Sequence, residues 1–360
     1  VSELAALAAA VRDVSGSAPP EGLRVVLDGA APDASQTALA ERLQQSSSGL
    51  VLLGQAAAAH AHSAWLRNLA AYIANATGCA FNVLSHGGNS NGAWLAGAVP
   101  HRGPGGQPAT AGLDASGMLE KPLDCYLLWG IEPDFDIDDP ARAVRTLREA
   151  GHVIAAASWA TGSLREIADV ILPLAPHAES EGSMVNYDGD PQAFVPAGKA
   201  SGEARPGWKS LRKLGSRMAL QGFGQVDLAS LQAEMQAVIG RPEASPGTSE
   251  LPAPTYAEGL YRIGELPIYS VDALCRRAVP LQKTALAESA FLGLNPADAA
   301  RLGLSDGAVA RVGQGGDRAE FEVRICNEVP EGGVWLRSAT CATSVLGAAF
   351  APIDLEVADA

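Results

Sequence analysis

Between Pro176 and Lys213 the chain reads PHAESEGSMVNYDGDPQAFVPAGKASGEARPGWKSLRK. Glu179, Glu181, Asp188 and Asp190 are close enough in sequence to work as acid/base carboxylates or to hold a cation. Gly182, Asn186, Gly189 and Gln192 place glycines and amides among them. A calcium loop of the EF-hand kind needs a set order of oxygen ligands, and zinc needs paired histidines or thiols. Neither order occurs. The plainer reading has the loop structural, with Asn186 and Gln192 satisfying backbone groups. A long polar connection is usually either disordered or functional. Met184, Val185, Phe194 and Val195 supply apolar anchors, which predicts order.

Two further loops follow apolar strand-like runs, where α/β folds present ligands. SHGGNSNGAWLAGAVPHRGPGG (Ser85 to Gly106) offers His86, Asn89, Ser90 and Asn91 among glycines. It is neither a dinucleotide G-x-G-x-x-G nor a P-loop. A glycine-rich connection needing positive φ explains it at least as well. WGIEPDFD (Trp129 to Asp136) ends another strand and puts Glu132 at the carboxyl edge of the sheet. A carboxylate there repels a pyrophosphate instead of donating to it.

The five cysteines (Cys79, Cys125, Cys275, Cys326 and Cys341) never fall within four residues of one another. Iron–sulfur clusters and zinc sites need closely spaced ligands, so these read as reduced, mostly buried thiols. None of the six histidines accompanies a G-x-S-x-G nucleophile motif. His60 and His62 fall in an Ala-rich stretch read as helix, where i and i+2 side chains point apart. No catalytic residue and no metal ligand is expected.

Lys plus Arg number 26 against 40 Asp plus Glu, a net charge of −14. Such a chain repels polyphosphate, which argues against general nucleic-acid binding. A hydrophobic fraction of 47% can fill a sizeable core. Val1 to Val14 lacks a basic flank and carries Glu3 and Asp13, so it reads as a helix and not a secretory signal. No apolar run approaches the roughly 20 residues a membrane span requires.

The elements that position these loops alternate. Strands are expected at Arg24–Gly29, Gly49–Gly54, Ala80–Leu84, Asp124–Gly130, His152–Ser158 and Asp169–Leu174. Helices are expected at 56–77 and 139–150, and after the polar run at 206–220 and 226–239. Short continuous apolar strands between helices predict an α/β domain with a doubly wound, mostly parallel sheet. Arg241 to Gly259 concentrates Pro, Ser, Gly and Glu and reads as a linker. Beyond it, Ala308–Gly313, Ala319–Ile325 and Gly333–Ser338 alternate polar and apolar residues, and Asn295–Ala308 reads as a capped helix and turn. The expected boundaries are an α/β domain over 1–240, a linker over 241–262 and a small β-barrel over 263–360.

Several of these runs resemble one family. The order acidic residue, Gly-Ser, Asn, Gly, Gln, then GEARP-x-W-K is similar to the molybdopterin oxidoreductase superfamily. It most resembles the large iron–sulfur subunit (the G subunit) of bacterial NADH–quinone oxidoreductase, respiratory complex I. The N-S-x-G-A piece at Asn89 and the N-P-x-D-A-x-x-L-G-L-x-D-G run at Asn295 agree, the latter resembling a double-psi barrel. The resemblance implies a vestigial pterin surface formed by Glu179, Gly182, Asn186, Gln192, Asn89 and Asn91. It also implies no cofactor in this segment, with iron–sulfur clusters in N-terminal parts of the parent protein. The implied role is a scaffold in the peripheral arm at the cytoplasmic face of the bacterial inner membrane. There it would contact other hydrophilic subunits and support NADH-to-quinone electron transfer. The alternative is the cofactor-clamping half of a true molybdopterin enzyme of the formate dehydrogenase kind. Two departures oppose it: Glu132 replaces the Asn of the family's nucleotide-contacting turn, and Asp190 follows Gly189 where relatives often carry Arg.

Overall fold

The computed structural model describes residues 1–84, 87–239, 251, 253–254, 258–287 and 290–358. The chain divides into two compact units, Val1–Gly87 with Glu243–Ala257, and Gly88–Pro242 with Glu258–Ala360. Most of the expected linker, Arg241 to Gly259, lies outside the described residues.

In the first unit, helices Ser2–Ser15, Glu21–Asp28, Ala34–Gln45 and Ser63–Thr77 enclose a core of Ala5, Ala8, Ala9, Leu27, Trp65, Leu69 and Ile73. Alanines on the first helix present little side chain, so its neighbours can approach closely. Asp33 and Gln36 form a reciprocal capping box that fixes the start of the third helix. Strands β1 (Leu50–Leu53) and β2 (Ala80–Val83) pair in parallel.

Two expectations fail in this unit. Arg24–Gly29 is not a strand; it belongs to the helix Glu21–Asp28. Leu23 and Leu27, one turn apart, are both buried, while Val25 stays 71% exposed. The i, i+4 burial outweighs the strand preference of two adjacent valines. The long helix expected over 56–77 is broken at His60–His62, between Gln55–Ala59 and Ser63–Thr77. There the His62 N–H donates to His60 Nδ1 at 2.9 Å, and the two rings lie 5.7 Å apart instead of pointing away from each other.

The second unit holds the other parallel sheet, β3 (Cys125–Trp129), β4 (His152–Ala157) and β5 (Val170–Pro173), in the order β3-β4-β5. Helices Pro140–Arg148 and Gly162–Ile167 bury Tyr126, Leu128, Val153 and Ala155 with Leu147 and Leu164. The polar run after β5 contains a β-hairpin, β6 (Gly182–Val185) with β7 (Pro191–Phe194). Six strands then close a barrel: β8 (Leu260–Ile263), β9 (Leu292–Leu294), β10 (Val309–Gln314), β11 (Asp317–Ile325), β12 (Gly333–Trp335) and β13 (Pro352–Val357). Their order round the barrel is β10-β11-β9-β12-β8-β13, with β13 pairing back onto β10. The architecture is thus mixed α/β with parallel sheets and a C-terminal barrel, as the sequence suggested.

Leu292, Leu294, Val312, Val323, Val334 and Leu336 fill the barrel with no exposed surface. Arg262 is buried among them, and its guanidinium donates to the carbonyls of Leu336, Gly347 and Arg337 and to Gln314 Oε1 at 3.0–3.2 Å. Burial pushes its pKa down to about 10, against the pull of Asp138. It stays a cation at neutral pH and ties β8 to the loops that cover the barrel end.

The thiols are less buried than expected. Cys125 and Cys341 are exposed, while Cys79, Cys275 and Cys326 are half-buried. Cys125 is exposed because β3 turns every second residue away from the helices, and Leu127 on that face is 46% exposed as well.

Candidate functional site

The polar run folds through its own backbone. Gly182 pairs with Phe194 across the hairpin, and a Cβ on Gly182 would meet the Phe194 ring at 2.8 Å. Glycine is therefore needed there for close approach. At the turn, Asn186 Oδ1 accepts the N–H groups of Asp188 and Asp190 at 3.0 and 2.9 Å, and Gly189 takes φ +88°. This asparagine does what a turn residue with an acceptor side chain does best.

Asn89 and Asn91 join the hairpin from the helix Ser90–Leu95. Asn89 Oδ1 accepts the Val185 N–H at 2.8 Å, and Asn91 Nδ2 donates to the Asn186 carbonyl at 3.0 Å. Asn89 occupies the N-cap position, yet it spends its oxygen on the neighbouring strand. Three of the six sequence-derived candidates, Asn186, Asn89 and Asn91, thus gather at the turn end of the hairpin, while Gly182 lies at its other end opposite Phe194. Glu179 lies further off, accepting the Ser201 N–H at 3.3 Å. Gln192 is exposed on β7 opposite Met184. Ser85 and His86 lie outside the described residues. Glu181 pairs with Lys209 at 3.3 Å, and Lys209 stacks over Trp208 at 5.1 Å.

A second constellation surrounds Glu132. Its turn after β3 leads into Pro133–Asp136, and a cavity of about 500 Å³ opens beside it. The cavity is bounded by Glu132, Phe135, Ser270, Arg276, Arg277, Gln282 and the 339–342 segment with Cys341. Asp272 caps the short helix Ala273–Arg277 by accepting two N–H groups at 2.8 Å, which aims both arginines at Glu132. Arg276 Nη2 lies 3.1 Å from Glu132 Oε2, and its Nη1 lies 2.9 Å from Asp136 Oδ1. Arg277 Nη2 lies 2.7 Å from Glu132 Oε1. Glu132 Oε1 lacks a well-directed hydrogen bond despite that distance, so the contact is Coulombic.

The Glu132 side chain is 4% exposed and that of Arg276 is 9%, while those of Asp136 and Arg277 are 20% and 32% exposed. Two cations thus face two carboxylates around a buried Glu132 with a half-buried rim. Arg276 also stacks over Phe135 at 5.0 Å, and Arg277 over Trp159 at 4.7 Å. Sequence reading singled out Glu132 but not its partners, which lie 144 and 145 positions later. The one signal was the adjacent pair Arg276-Arg277, four residues after a capping Asp, in a chain poor in cations.

The sequence pattern of molybdopterin oxidoreductases matches residues 33–217, just over half of the 360 residues. The chain belongs to the molybdopterin oxidoreductase family. Within that family it is similar to proteins named as the G subunit of NADH-quinone oxidoreductase. That of Streptomyces coelicolor is 28% identical over 296 residues, covering 72% of this chain and 34% of the relative. That of Mycobacterium tuberculosis is 31% identical over 156 residues, covering 37% of this chain and 19% of the relative. The chain therefore spans about a fifth to a third of the length of the curated relatives it matches. Acetylene hydratase from Pelobacter acetylenicus shares a partial likeness, with a TM-score of 0.42 and 16% identity over 59% of this chain and 37% of that one. No described helix is long and apolar enough to cross a membrane.

Proposed function

We propose that this chain is the scaffold portion of a G subunit of NADH–quinone oxidoreductase. In this reading it supports a chain of iron–sulfur clusters bound elsewhere in the parent protein and carries no redox centre itself. It sits in the peripheral arm at the cytoplasmic face of the bacterial inner membrane and contacts other hydrophilic subunits. The 1–240 region is its molybdopterin-oxidoreductase-like part, and its barrel starts at Leu260, where β8 begins, three residues before the expected boundary at 263.

The observation that carries this reading is the buried Glu132 carboxylate on the cavity wall. The residues around it do not fit an anionic pterin dinucleotide. Both arginines that could grip a pyrophosphate are already paired with Glu132 and Asp136. The hairpin adds Asp188 and Asp190 at its tip, where a cation would suit an anionic ligand better. One end of each neutral amide, Asn89 Oδ1, Asn91 Nδ2 and Asn186 Oδ1, is already engaged in holding the hairpin together. The relatives among NADH-quinone oxidoreductase subunits point the same way.

Affinity purification of the full-length parent from gently solubilised membranes tests the assignment. Co-purification of other respiratory subunits with NADH–quinone activity is expected. Recovery as a free protein without that activity overturns it. The second reading, a cofactor-clamping half of a molybdenum or tungsten enzyme, would have the same preparation carry pterin.

A further inference from the structure

The geometry points to Glu132 as a resident anion that fills a two-arginine anion site on the cavity wall. This rests on the scaffold reading, in which no ligand anion competes for those arginines.

Both guanidiniums are held by contacts that do not involve Glu132. Arg276 donates to the Ser270 carbonyl at 2.9 Å and stacks on Phe135, while Arg277 donates to the Ala273 carbonyl at 3.0 Å and stacks on Trp159. Their remaining N–H groups converge on a single carboxylate. Arg276 reaches Glu132 Oε2 through Nε and Nη2 at 3.2 and 3.1 Å, and Arg277 reaches both oxygens through Nη1 and Nη2 at 3.3 and 2.7 Å. Two fixed forks meeting at one point make the geometry that suits a phosphate group. Here a side chain supplies the oxygens. The space beside it, about 500 Å³, is large enough for a phosphate-bearing ligand once the carboxylate is gone. Asp136 remains to neutralise part of the charge, since it holds Arg276 and the Glu132 main-chain N–H together.

Removing Glu132 is therefore expected to turn the cavity into a binding site for inorganic phosphate. The full-length parent protein is melted as wild type, as Glu132→Ala and as the near-isosteric Glu132→Gln. Each is titrated with inorganic phosphate against chloride at matched ionic strength. The variants should show a saturable phosphate-dependent rise in melting temperature, with phosphate bound at least about tenfold tighter than by wild type. Adding Arg277→Gln to Glu132→Ala should abolish that response. If Glu132→Ala does not fold without phosphate, recovery of its fold by phosphate counts for the inference, and Glu132→Gln repeats the test. A wild type that responds as strongly as the variants, or two variants that do not respond, would overturn it. Pterin in the wild-type parent would sink the scaffold reading whatever phosphate does. A missing phosphate response in a pterin-free parent would sink this inference alone.

Discussion

Two regions of the second unit stand where an anionic ligand could be gripped, and they are closed by different chemistry. The hairpin at Gly182–Phe194 is closed by neutral amides: Asn89, Asn91 and Asn186 make short hydrogen bonds to backbone groups. The Glu132 cluster is closed by charge, with two arginines on two carboxylates in a half-enclosed cavity. A neutral hydrogen bond contributes about 1 kcal/mol net, so the hairpin tolerates the loss of any one amide. A buried ion pair adds little over an apolar substitute, yet breaking one side strands a charge. The hairpin is therefore robust to local change, while the cluster is an all-or-none arrangement.

Substitutions can break that contrast. The largest effect is expected from Glu132→Ala, which leaves Arg276 with Asp136 and takes away the carboxylate that pairs with Arg277. It should cost roughly 3–5 kcal/mol, read as a lower urea midpoint at an unchanged slope in phosphate-free buffer. A loss below about 1 kcal/mol would mean that water already screens the pair. Asn186→Ala should cost roughly 0.5–1.5 kcal/mol, because two exposed turn N–H groups exchange their acceptor for water. If Asn186→Ala proves as damaging as Glu132→Ala, the distinction between the two regions falls.

A carboxylate on the helix Pro296–Leu302, which follows β9, sharpens the comparison through pH. Burial pushes the Asp298 carboxyl up, but Arg301 and the Gly332 N–H outweigh burial and hold it below its ordinary value of 3.8. A depressed native pKa means that the folded state binds fewer protons than the unfolded one. The stabilisation is then present above about pH 3.8 and is lost as pH falls through the native value. Asp298→Asn should flatten the acid limb of the stability curve below pH 4 without altering the limb near neutrality. The smallest effect belongs to Gln192→Ala. An exposed side chain on β7 should stay within about 0.5 kcal/mol of wild type by urea unfolding.

Much of the fold was readable because its strands announce themselves. Leu50–Leu53, Cys125–Trp129, His152–Ala157 and Val170–Pro173 are short apolar runs between helical segments, and each is a parallel strand. Asn295 and Gly303 marked both ends of the helix Pro296–Leu302. Glu21–Asp28 misled because Val25 and Val26 favour strands, while burial of Leu23 and Leu27 is a tertiary effect. The hairpin was hidden by its composition, since glycine and aspartate read as loop even where they pair. Glu132 was visible as a carboxylate in an unexpected place, but its meaning depended on Arg276 and Arg277. No spacing rule spans that separation; only the folded chain brings the three together.

The decisive measurement is the molybdenum, tungsten, iron and released-pterin content of the natively purified full-length parent protein. A protein whose pterin surface is vestigial should contain iron and neither pterin nor stoichiometric molybdenum or tungsten. Stoichiometric molybdenum or tungsten with pterin would contradict the scaffold reading and make this segment a cofactor clamp.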